Sequence, residues 1–187
     1  MVLNTPTRDY ERTDQSLEQW DDSPVTSPFL QSAFDGILQV AVLVESDDGW
    51  VSGSEEGRRR FLAISQALIL EPVESCMRHP AQDSVDAWVA QGIDPELPSM
   101  IFEAGERHDL IASWLHVLGH ADGLGPAMKR TLLRKGLASP SVLVRDAAIG
   151  AVEQWGDTEL VEVLRTHRDS VPWLAKYTRD VIRDLQG

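Results

Sequence analysis

The sequence predicts an all-α protein made of stacked antiparallel helical hairpins. Three observations carry that expectation. Apolar residues recur at i, i+3 and i+4 through most of the chain; Gly, Pro, Ser and Asp signals cut these runs apart with short loops; and no convincing pair of alternating strand runs remains. The 187 residues suit one domain, or one domain with a tail. A chain of that size buries about 70% of the surface its unfolded form exposes, so it folds without staples. A single cysteine, Cys76, excludes an internal disulfide framework.

Residues 1–26 read as an acidic, disordered extension. Beyond the first three residues only Tyr10, Leu17 and Trp20 are large and apolar there, too little burial to offset the entropy of ordering. Residues 27–187 read as one all-α domain, with N-terminal helices over 27–106 and hairpins over 107–187. The first helix starts near Ser27, with Pro28 suited to a first helical position, and Leu30, Ala33, Phe34, Ile37, Leu38, Ala41 and Val42 on its buried side. A second helix spans Ser54 to Leu70, capped by Ser54, with Phe61, Leu62, Ile64, Ser65, Leu68 and Ile69 as its inward stripe. A third covers Gln82–Gln91, stops at Gly92, and turns Val85, Trp88 and Val89 inward. The stretch Ile93 to Glu106, with Pro95 and Pro98, has the weakest pattern. From Arg107 onward helices are expected at 107–119, 125–138, 140–155, 157–167 and 170–186.

This last region repeats itself. Leu110, Trp114, Leu115 and Leu118 align with Val144, Ala148, Ile149 and Val152 at an offset of 34, and Val144 to Ile149 with Val152 align with Trp173 to Thr178 with Val181 at an offset of 29. A helical hairpin cannot bury its apolar face alone and needs a stacked neighbour. The segment from Ser139-Pro140 through Val144-Arg145-Asp146 to Val152, followed by the turn Trp155-Gly156-Asp157 and by Leu160, Val161, Val163 and Leu164, resembles a HEAT-type repeat. The resemblance covers residues 107–187 and departs from the family in the long turn Gly119–Gly125 and in a last helix that has no partner after it. It implies an α-solenoid that binds other macromolecules. It also implies structural roles for Arg145 and Asp146, which would bond between neighbouring units.

Charge is uneven along the chain. Residues 1–56 hold 12 acids and 2 arginines, while residues 57–187 hold 18 acids against 15 basic residues, for a total of −13. Such a balance argues against a phosphate-backbone binder, because affinity for nucleic acid comes from clustered Lys and Arg. The resemblance implies a non-enzymatic protein–protein binding module, and the size and acidity also suit a small acidic inhibitor or immunity-type protein that would cover a basic site. Trp20, Asp21, Asp22, Asp47, Asp48 and Trp50 are the candidate partner-binding residues, acids for encounter and tryptophans as anchors. No cofactor is expected. The N-terminus has neither the basic region nor the apolar core of a secretory signal, and the longest apolar run is far short of the ~20 residues of a membrane span. With a lone cysteine, a cytoplasmic location is expected.

Other constellations bear on chemistry. His116 and His120 lie four apart, with Asp122 after them, a spacing that would aim two imidazoles at one metal; an end of the helix at Gly119 would swing His120 away. His79 and then His108-Asp109 resemble the order of metal ligands in HD-type phosphohydrolases, and this gives the alternative reading, a metal-dependent phosphohydrolase using His79, His108 and Asp109. Cys76 lies near Arg78 and His79, cations that would lower a thiol pKa. Arg58-Arg59-Arg60 and the Lys129-Arg130, Arg134-Lys135 face are basic knots without interleaved aromatics to stack bases. Trp114, Trp155 and Trp173 fall on apolar stripes and are expected in the core. If the assigned register holds, Val144→Ala and Ile149→Ala each cost about 1–4 kcal/mol in chemical denaturation; values near zero at both would show that the register is wrong.

Overall fold

The computed structural model describes residues 54–71, 73 and 78–187. Among them every regular element is helical: α1 (Glu55–Leu70), α2 (Gln82–Gly92), α3 (Leu97–Phe102), α4 (His108–Gly119), α5 (Pro126–Leu137), α6 (Val142–Trp155), a 3-10 turn (Thr158–Leu160), α7 (Val161–Thr166) and α8 (Pro172–Asp184). No described helix is long and apolar enough to cross a membrane. The expected extension, the Ser27 helix, Cys76 and the six acidic-third residues Trp20, Asp21, Asp22, Asp47, Asp48 and Trp50 lie outside the described residues.

Local signals set the helix ends. The Ser54 hydroxyl accepts from Gly57 N at 2.9 Å, as the capping pattern predicts. Asp94 completes that cap from the α2–α3 loop: one carboxylate oxygen accepts from both Ser54 N and Ser54 Oγ at 3.0 Å. A Cβ on Gly57 would fall 2.2 Å from that oxygen, so the cap requires glycine there. Gly156 closes α6 at φ 60°, in the left-handed region that glycine occupies without strain. The weakly patterned stretch before Glu106 holds α3, whose Leu97, Pro98, Met100 and Ile101 are all buried.

Helix α6 is the hub. It packs most extensively on α4, then on α5, and also touches α8; α3 touches α5, and α5 touches α7. Small residues permit this. A Cβ on Gly119 would lie 3.1 Å from Ala151 Cα, and one on Gly136 would lie 2.5 Å from Ala148 Cβ. The α4 stripe (Leu110, Trp114, Leu115, Leu118) and its α6 counterpart (Val144, Ala148, Ile149, Val152) are buried throughout, as the 34-residue offset predicts. Arg145 meets Asp169 and Glu153 meets Tyr177, both pairs 24 residues apart, so α6 and α8 run in the same direction.

Two expectations about α8 need correcting. Trp173 is not in the core; it is 53% exposed. The buried residues of α8 are Leu174, Thr178 and Val181, which match Val144, Ala148 and Ala151 at an offset of 30 rather than 29. Leu62 and Ile69 of α1 are half-buried, at the margin of a stripe formed by Phe61, Ile64, Ser65 and Leu68. Ser65 is inside because Trp114 Nε1 donates to its hydroxyl at 2.9 Å while the indole stacks on Phe61 at 5.2 Å.

The glycine contacts give a direct test. Gly136→Ala gains up to about 1 kcal/mol of helix propensity but overpacks the α5–α6 contact, so net destabilisation of about 1–3 kcal/mol is expected. Gly150→Ala places its Cβ at an ordinary 3.5 Å from the Tyr177 hydroxyl and should be neutral or stabilising. Urea midpoints of the two variants check the pair.

Candidate functional site

The outer face shared by α6 and α8 is built from helical spacing. On α6, Leu143, Asp146, Gly150 and Glu153 occupy i, i+3, i+7 and i+10; on α8, Trp173, Tyr177 and Asp180 occupy i, i+4 and i+7. Leu143 and Trp173 are each about half exposed and sit in the first turns of parallel helices. Tyr177 donates its hydroxyl hydrogen to Glu153. Burial pushes the Tyr177 hydroxyl pKa up, and the Glu153 and Asp146 charges push it further. Asp146 is half-buried, which raises its carboxyl above the usual range, and it has no ion-pair partner among the described residues. Asp180, by contrast, is held by Lys176 at 2.6 Å and Arg183 at 2.9 Å.

The two helix starts are fastened by a buried network. Arg145 donates from Nε to Asp169 Oδ2 at 2.6 Å and from Nη1 to the Ser139 and Pro140 carbonyls at 3.0 Å. Val171 N donates to Asp169 Oδ1 at 2.8 Å, and His167 Nε2 lies 3.2 Å from Oδ2. Arg145 leads these partners in holding the Asp169 carboxyl at about 2 despite burial. The stability this adds is complete above the ordinary 3.8 and is lost as pH falls through about 2. Arg145 therefore ties the start of α6 to the loop before α8, whereas the Asp146 side chain makes no hydrogen bond among the described residues. Asp146 lies on the outer face.

The histidines divide. His120 does not swing away: it remains in the right-handed helical region as the C-cap of α4, and its ring meets His116 edge-on at 4.9 Å. His116 Nε2 is buried without a hydrogen-bond partner among the described residues. Burial first, then His120 and His79, lower the His116 pKa. His79 Nε2 lies 2.8 Å from the Glu71 carbonyl, and Ala81 N donates to Nδ1 at 3.0 Å, so both ring nitrogens serve the backbone. Asp109 is gripped by Arg107 through two bonds of 3.1 and 3.0 Å. The structure does not gather His79, His108 and Asp109 into a metal-sized group, and no set of three His, Cys, Asp or Glu does so among the described residues.

The basic knots are neutralised in part within the fold, with Arg58, Arg134 and Lys135 outside any ion pair among the described residues. Arg59 pairs with Glu55 and Glu56, and Arg60 with Glu56; Lys129 lies 3.8 Å from Asp157 and Arg130 lies 3.5 Å from Glu159. The α6–α8 face is not apparent in the sequence because the 29-residue alignment turns Trp173 inward. The one signal that marks it is Pro172, which sets the start of α8 and so the register of the whole helix. Comparison of the chain with protein-family models, with curated proteins and with solved structures gives no match in any of the three.

The folded environment of His116 disfavours the imidazolium, so the unfolded chain takes up this proton first. Stability should therefore fall as pH drops below 6.5. His116→Phe should flatten part of that slope in urea midpoints measured across a pH series; an unchanged slope would count against the burial of this ring.

Proposed function

We propose that the chain is a HEAT-like stack of helical hairpins acting as a non-enzymatic protein–protein binding module. The alternating contacts, α4 with α6 and α6 with α8 on one side, α3 with α5 and α5 with α7 on the other, support the stacked reading. The observation that carries the binding reading is the pair Leu143 and Trp173, two large apolar side chains left half exposed at the same end of neighbouring helices. A half-exposed tryptophan with polar neighbours is the residue type that anchors interfaces. The acidic third, with Trp20, Asp21, Asp22, Asp47, Asp48 and Trp50, is a second docking element in this proposal, speeding encounter with a basic partner. The charge of −13 and the modest length also suit an inhibitor or immunity-type role.

Affinity capture from an extract of the source cells tests this reading. Partners held by the wild-type chain should be lost from the Leu143→Ser, Trp173→Ala double variant, which should keep its helical circular dichroism and melting temperature because neither side chain is in the core. A partner set unchanged by the double variant would move the interface away from α6 and α8.

A further inference from the structure

The chemistry of the α6–α8 face names the kind of partner it fits, an inference that rests on the binding role proposed above. We infer that this face receives a cationic segment, an Arg- or Lys-bearing stretch of a basic protein, with the cation placed between Asp146, Glu153 and the ring of Trp173.

Carboxylates without an ion pair occur elsewhere among the described residues, at Glu71, Glu96, Glu103, Glu106 and Asp122; the α6–α8 face is set apart by joining two such acids with an exposed tryptophan. Most exposed carboxylates on α1, α2, α7 and α8 already hold a cation: Glu55 and Glu56 hold Arg59, Asp83 and Asp86 hold Arg78, Glu162 holds Arg165, and Asp180 holds Lys176. On the α6–α8 face three nearby cations are committed elsewhere, and Arg179 lies about 120° around α8 from Trp173. Arg145 is spent on Asp169, Lys176 on Asp180, and Arg183 on Asp180 and Asp184. Asp146 has no cation among the described residues, and the hydrogen bond that Glu153 accepts is the neutral one from Tyr177. A half-buried carboxylate has lost part of its water, and an incoming guanidinium or ammonium restores its charge balance in a setting less screened than open surface.

Aromatic placement agrees with this. Trp173 lies one turn before Tyr177 on the same side of α8 and presents its ring to solvent, a surface on which a cation gains both contact area and attraction to the π-face. Gly150 keeps the floor between the two helices low, with only the Tyr177 hydroxyl within contact distance of where a Cβ would stand. An acidic segment would meet two uncompensated carboxylates here and be repelled, and a wholly apolar one would leave Asp146 desolvated and unpaired.

Titration of the full-length, isotope-labelled chain with two octapeptides, one alternating Arg and Gly and one alternating Glu and Gly, tests the inference by NMR. The Arg peptide should shift amide signals of residues 143–153 and 173–180 and the Trp173 indole signal, and the Glu peptide should not. Asp146→Asn with Glu153→Gln should weaken the Arg peptide by about tenfold or more, as expected for one half-buried and one exposed charge contact. Circular dichroism confirms that the double variant folds; should it not, Asp146→Asn alone, which breaks no side-chain hydrogen bond among the described residues, is expected to show the same direction. Shifts confined to other regions, equal response to both peptides, or an affinity unchanged by neutralisation would each overturn the inference. The capture experiment reads separately: a partner that depends on Trp173 but not on the two acids leaves the binding role standing and removes only the cationic assignment.

Discussion

Helix α6 can occupy the centre of this protein only because its contact surface is made of small residues. Ala148 faces Gly136 and Ala151 faces Gly119 at separations with no space for an added methyl group. Close backbone approach then sets the remaining geometry. It brings Trp155 against the C-terminal end of α4, where its indole nitrogen donates to the Leu118 carbonyl at 2.9 Å, and it leaves Lys129 of α5 5.7 Å above the same ring. A helix end has carbonyls with no partner of its own. Here the Val117 and Leu118 carbonyls accept from His120 N and Ala121 N, and each takes a second bond, from Gln82 and from Trp155, that fastens α2 and α6 to the end of α4.

Polar groups inside the core obey the same logic of completion. Ser65 serves Trp114, Gln82 serves α4, and His79 ties the Glu71 carbonyl to the start of α2. Asp169, with a side chain only 1% exposed, is matched by a guanidinium, a backbone N–H and an imidazole. A buried carboxylate with one partner missing would cost several kcal/mol, and Asp169 escapes that cost because three donors converge on it. His116 Nε2 is the exception among the described side chains.

Much of the charge on the described surface is paired within the fold. Ion pairs at i, i+3 and i+4 neutralise α1 and the outer flank of α8, and longer-range pairs bind the basic side of α5 to the turn before α7. Exposed pairs of this sort add little stability, typically under about 1 kcal/mol, yet they determine which charges remain available to a partner. Among the charges still available are Asp146 and Glu153 of α6, on the face that also carries the half-exposed Trp173.

Helix positions and most of the core are legible in the residues themselves. The Ser54 cap, the stops at Gly92 and Gly156 and the apolar stripes of α4 and α6 are encoded within a few residues of where they act, because capping and a 3.6-residue period are local properties. Helix α3 is not legible, because six residues are too few to show a period and its prolines resemble a loop. Trp173 is misplaced by the sequence pattern because a one-residue error of register turns a helical side chain by about 100°. The roles of Asp94, Gln82 and Asp146 depend on groups far along the chain. Asp94 bonds to a residue 40 positions away and Gln82 to one 35 away, and Asp146 faces outward beside a helix that begins only at Pro172. Sequence alone determined the longer helices and the apolar stripes of α4 and α6; tertiary packing decided which polar groups are buried, which charges are paired and which tryptophan is left exposed, because those outcomes depend on contacts between segments that local pattern does not specify.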